Sequence, residues 1–282
     1  MTNPSAPSDR HLGMRPGDLD GKPYAGYWNP QMAPLPERAR EALAHGPVAA
    51  PLLPPLAFAA KSIETPDGGL ENGFCLAAGG ALHIAIFTDM PGVSPEMVDW
   101  WFGWHSDEPE RYKLWHPRAH VHAEWRQPPA PAARGRDRYV DCVSCVDEYI
   151  GSEMGSYAIR FVPPGELGLD EGRLSDPKQA TAVCARVGFA NIPFDFGYLA
   201  HYVSRAERGV EMRSRFWIGG LHTAARRGGI AGDLAVAVVR RFMKPTASEG
   251  SALLVHCSQE MSHLASFLPR LFAELGAPER AI

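Results

Sequence analysis

The chain has 282 residues, a mass of 30.8 kDa and a formal net charge of −4, from 28 Lys plus Arg against 32 Asp plus Glu. A 45% apolar chain of this length can bury a full core without disulfide or metal staples, and its weak acidity argues against a nucleic-acid binder, which would show a basic domain or stripe. It has no run of roughly 18 apolar residues to span a membrane, no apolar secretory leader in its first thirty residues, and five cysteines, an odd and low count that fits a reducing cytoplasm.

Residues 1–79 form a Pro-rich segment, with prolines at 4, 7, 16, 23, 30, 34, 36, 47, 51, 54, 55 and 66. Each removes a backbone donor, so only one short helix is expected there, around Pro36 to Ala44. Tyr24, Tyr27 and Trp28 predict that this segment wraps over a partner surface and does not fray.

Regular patterning begins near residue 80. Ala81 to Asp89 reads as a strand. Ser94-Pro95-Glu96 supplies an N-cap and a proline at the first helical position, so a helix is predicted through Met97, Trp100, Trp101 and Trp104. A second short helix fits Pro109 to Trp115. Six strands follow, at 119–126, 138–149, 156–163, 181–189, 197–204 and 211–219, separated by Gly and Pro turns that suit an antiparallel meander. Residues 230–243 read as a helix. A capping box, Thr246-x-x-Glu249, opens a long amphipathic helix over 248–275 that ends at Gly276 and that Pro269 should kink. The order predicts an α+β protein of the helix-grip (START-like) class. In it a curved antiparallel seven-stranded sheet encloses a cavity against the long C-terminal helix.

Three clusters could carry chemistry. His256 and Glu260 are one helical turn apart and interrupt a stripe otherwise built for burial. On strand alternation, His120, His122 and Glu124 share one face and Val121, Ala123 and Trp125 the other, and two imidazoles on alternate residues suit zinc. Asp147 and Glu148 close the strand 138–149, with Glu153 competing for the same role. Imidazoles plus carboxylates on three elements suit a divalent ion, zinc first among them. His116 and His263 are spare ligands, and Cys142-x-x-Cys145 lacks a second pair and reads as structural. His83 reads as a core or edge group, Arg213 and Arg215 as rim charges, and the tryptophans as packing. A metal-free binding protein and a zinc esterase of the same shape are the alternatives on these residues. Nucleotide-binding and serine-hydrolase fingerprints are missing.

The run from Arg111 to His120 (RYKLWHPRAH), the segment Asp147-Glu-Tyr-Ile-Gly151 and the final His256-x-x-x-Glu260 resemble the 2,4-diacetylphloroglucinol hydrolase family, which includes phloretin hydrolases. The resemblance implies a zinc hydrolase acting on carbon–carbon bonds in ketonic substances, with an acylphenol or 1,3-diketone substrate. It implies zinc ligands at His120, Glu148, His256 and Glu260, a substrate-contacting phenol at Tyr112 and an acid–base or supporting histidine at His201. It also implies a homodimer, with residues 1–79 as the dimerisation arm and 80–282 as the catalytic domain. Two positions depart from the family pattern. Phe216 stands near where an active-site tyrosine is expected, and Val121-His122-Ala123 where an asparagine is expected.

Overall fold

The computed structural model describes residues 10–65 and 69–276. Pro4, Pro7 and Pro66 lie outside the described residues. Six α-helices are described: α1 (Glu37–His45), α2 (Ala59–Ile63), α3 (Pro95–Trp104), α4 (Pro109–Trp115), α5 (Ile230–Phe242) and α6 (Ala247–Leu275). The strands are β1 (Gly73–Leu76), β2 (Ala81–Pro91), β3 (His120–Gln127), β4 (Val143–Ile150), β5 (Glu153–Val162), β6 (Ala180–Phe189), β7 (Phe194–Ala206), β8 (Gly209–Gly219) and β9 (Ala224–Ala225).

All seven expected strands are present, and the short β1 and β9 bring the sheet to nine. Every pairing is antiparallel, in the order β1-β2-β8-β7-β6-β5-β4-β3, with β9 added on β7. α6 packs on β1 and β2 near one edge and on β4 near the other. A single long helix held against strands near both edges of one antiparallel sheet is the helix-grip fold.

Local chemistry sets the boundaries. Ser94 Oγ accepts from the Met97 amide at 3.3 Å, and Pro95 opens α3. Thr246 Oγ1 accepts from the Glu249 amide, and the Glu249 carboxylate accepts from the Thr246 amide, which completes the capping box of α6. α6 buries Leu254, Met261, Leu264, Leu268 and Leu271 completely, each worth about 1.5–3 kcal/mol against exposure. It continues through Pro269 as one helix. β4 starts at Val143, not at residue 138, because Gly135–Arg138 forms a helical turn and Asp141 takes a left-handed φ of 62°.

The described part of the N-terminal segment lies against its own chain. Tyr24, Tyr27, Ala39 and Ala42 join the main core, and Tyr24 packs edge-on against Trp104. Ala59 and Ile63 of α2 cover the outer face of the sheet over Ala200, Tyr202 and Trp217. No described helix is long and apolar enough to cross a membrane.

Candidate metal centre

His120 is the first residue of β3 and pairs directly with Glu148 on β4. His256 and Glu260 project from one face of α6 above them. His120 Nε2 and His256 Nε2 each lie 3.4 Å from Glu148 Oε2. The same nitrogens lie 3.5 and 3.7 Å from Glu260 Oε2. Ligands about 2.0–2.2 Å from one tetrahedral ion stand about 3.3–3.6 Å from each other. The four imidazole–carboxylate distances are close to that spacing. Among the described residues, His120, Glu148 and His256 form a trio whose ligand atoms all lie within 4.8 Å of one another, and Glu260 reaches both imidazoles.

The donor chemistry fits a cation. His120 Nδ1 is 2.9 Å from the Tyr112 carbonyl, which can only accept, so Nδ1 carries the proton. Nε2 is then a bare lone pair, buried and without a hydrogen-bond partner. It faces two carboxylate oxygens, an arrangement that repels unless a cation or a proton sits between them. Burial, with help from His256 and His116, pushes His120 well below the usual imidazole range. Burial lowers His256 too, but the hydrogen bond to Glu148 and the charges of Glu260 and Glu148 outweigh it and raise the net value. Burial, reinforced by Glu148, lifts Glu260 to about 8.

Tyr112 braces the centre twice. Its ring stacks on His120 at 3.7 Å and 3°, and its hydroxyl donates to Glu148 Oε2 at 2.7 Å. Burial, then the Glu148 charge, pushes the phenol well above 10, so it stays a donor.

Beside the centre lies a chamber walled by Phe102, Trp115, Val146, Ile159, Phe161, Leu199, Phe216 and Leu253. A second hollow shares Glu148, Ile150, Leu199, Phe216 and Leu253 with it and runs past Tyr157 and Phe196 toward Pro245 and Glu249. His201 lines the inner chamber, with Nδ1 2.7 Å from Ser214 Oγ. Burial pushes it down to about 4, so it is neutral near pH 7.

The family model of the DAPG hydrolase PhiG domain matches residues 54–273. The chain belongs to the DAPG hydrolase family. It is 29% identical over 267 residues to a 2,4-diacetylphloroglucinol hydrolase of Pseudomonas protegens, covering 91% of this chain and 86% of that one. It is 32% identical over 260 residues to a phloretin hydrolase of Eubacterium ramulus, covering 89% of each. Among solved structures it is similar to norcoclaurine synthase of Thalictrum flavum, at 11% identity and a TM-score of 0.33, covering 69% of this chain and 87% of that one. Ara h 8.0201 is similar at 12% identity and a TM-score of 0.32, covering 62% and 99%. The family expected from the three sequence motifs is therefore the family found.

The structure gathers His120, Glu148, His256, Glu260, Tyr112 and His201 around this one chamber. It corrects the alternation on β3. A bulge at Val121 shifts the register, so His120 pairs with Glu148 but His122 pairs with Asp147. His122, Glu124 and Asp147 therefore lie on the outer face, where Arg10 binds Asp147 at 2.5 Å and Glu124 at 3.4 Å. Ala123 and Trp125 turn inward instead, paired with Val146 and Ser144. Glu153 is exposed at the start of β5. His116 stacks on His256 from outside the ligand set, and His263 Nδ1 accepts from the Ala33 amide. Phe216 and Ala123 are buried, apolar and on the inner face, so neither supplies the polar group expected nearby. Sequence reasoning passed over His105, Ser106 and Ser144. They come from a turn after α3 and from β4, and no spacing rule links them.

Proposed function

We propose that this protein is a zinc-dependent hydrolase that cleaves the carbon–carbon bond between an acyl group and a phenolic, phloroglucinol-type ring or a related 1,3-diketone. The observation that carries the reading is the convergence of His120, Glu148 and His256, with Glu260 within 3.7 Å of both imidazoles, beside an apolar chamber. The names of the family relatives supply the substrate class.

The route is a retro-Claisen hydrolysis. In its keto tautomer the ring and the acyl carbonyl form a 1,3-diketone. Water oxygen bonds to the acyl carbon. The acyl–ring bond breaks, and its electron pair passes to the ring carbon as a stabilised enolate. A carboxylic acid leaves, and the ring carbon takes a proton. Zinc held by His120, Glu148, His256 and Glu260 would supply Lewis acidity, lowering the pKa of water toward about 7 and polarising a carbonyl oxygen. Neutral His201 takes the proton that water loses and returns it to the ring carbon. Tyr112, fixed by its stacking on His120 and with its proton given to Glu148, orients a substrate hydroxyl by accepting from it. The apolar wall excludes bulk water and accepts the ring face.

We place the activity in the cytoplasm, which suits five free, buried thiols, and in a homodimer, which suits the exposed Leu12, Leu52 and Phe58 of the N-terminal segment. The test is a panel of 2,4-diacetylphloroglucinol, phloretin, simple 1,3-diketones and aryl esters. Release of carboxylic acid and free phenol from the first two supports the reading, and turnover of esters alone overturns it.

A further inference from the structure

His105, Ser106 and Ser144 form a buried polar chain in an otherwise greasy wall. His105 and Ser144 both line the chamber, and all three are at most 3% exposed. His105 Nδ1 is 2.9 Å from the Trp101 carbonyl. His105 Nε2 is 3.1 Å from Ser106 Oγ, which is 2.9 Å from Ser144 Oγ.

The polarity of this chain follows from its ends. A carbonyl only accepts, so His105 Nδ1 carries the proton and, in a neutral ring, Nε2 is a lone pair. Burial pushes His105 down to about 4, which keeps the ring neutral near pH 7. Ser106 must therefore spend its one hydroxyl proton on Nε2. Its oxygen then has only acceptance left, so Ser144 must donate to it. That leaves Ser144 Oγ with lone pairs alone for the chamber. Ser144 and Glu148 are four residues apart on β4, on the same face and about 13 Å apart along the strand.

We propose that the His105–Ser106–Ser144 relay makes Ser144 an obligate hydrogen-bond acceptor, which selects substrates carrying a free ring hydroxyl remote from the acyl carbon. This rests on the proposed function and names the feature of the substrate that the chamber reads. Ser144 is a specificity residue; Ser106 and His105 are positioning residues that set its polarity.

The test is calorimetric binding of phloroglucinol and of its trimethyl ether to the purified, metal-loaded protein, to Ser144→Ala and to Ser106→Ala. In the wild type the phenol should bind about 5- to 10-fold more tightly than the ether. Ser144→Ala should erase that preference by weakening the phenol alone. Ser106→Ala removes the acceptor that holds the Ser144 proton, so the ether should gain about fivefold. Phenol affinity untouched by Ser144→Ala, or an ether indifferent to Ser106→Ala, overturns the relay and leaves the hydrolase reading standing. Failure of the wild type to bind either ring overturns both.

Discussion

His120 and His122 stand two residues apart on β3 and face opposite sides of the sheet. The bulge at Val121 separates them, giving His120 to Glu148 and the chamber and His122 to Asp147 and the outer face. Substitution of the two should therefore give unlike results. His120→Ala should lose bound metal. His122→Ala should keep it, at a stability cost of about 1 kcal/mol for the outer-face cluster with Arg10 and Glu124. Elemental analysis of both variants decides this, and equal loss of metal would refute the bulge as the sorting device.

Removing the metal should destabilise the protein. Two carboxylates and two imidazoles then crowd one buried site with no cation among them. Chelator treatment should lower Tm by several degrees, and stoichiometric zinc should restore it, as expected for a ligand that binds only the folded state. A Tm unmoved by chelation that demonstrably strips the ion would contradict the site.

Tyr112→Phe separates bracing from ligation. The ring that stacks on His120 remains, while the hydroxyl that donates to Glu148 at 2.7 Å is lost. Metal should be retained at near one per chain, and kcat/KM should fall about 10- to 100-fold, the usual cost of losing a partner that orients a ligand. His201→Ala should also keep metal, with kcat lower by about 10²–10⁴, the range for a general acid–base group. Unchanged turnover in His201→Ala removes that residue from the mechanism.

Asp99 gives a pH-dependent stability far from the chemistry. Its buried carboxylate accepts from the Tyr139 hydroxyl at 2.6 Å and from Thr181 Oγ1 at 2.7 Å, and so ties α3 to β6. Burial lifts its pKa to about 6 despite those two bonds. The folded value exceeds the unfolded one, near 3.9, so the folded chain holds the proton more tightly. That contribution is complete below about pH 4 and is lost as pH rises through about 6, a change of about 2–3 kcal/mol. Asp99→Asn lacks this slope. Its Tm relative to wild type should rise between pH 4 and pH 6.5, and parallel curves would refute the assignment.

Much of this was legible in the sequence, for identifiable reasons. Period-2 runs bounded by Gly and Pro marked the seven long strands, and the Thr246 to Glu249 box marked the start of α6 within a residue. His256 and Glu260 followed from helical spacing, and the family resemblance pointed to His120 and Glu148. Alternation alone put His120 beside His122, because a bulge leaves no trace in the apolar pattern. The four-residue β1 is too short to show a period. The relay of His105, Ser106 and Ser144 exists only through long-range packing, since 38 residues separate its two serines.

The most direct test of the metal-dependent hydrolase is zinc content measured on the same samples as carboxylic acid release from an acylphenol. The expected result is about one zinc per chain in the wild type, with metal and acid release lost together in His256→Ala and in Glu260→Ala. Stoichiometric zinc in both variants, or full turnover by a metal-free wild type, would contradict it.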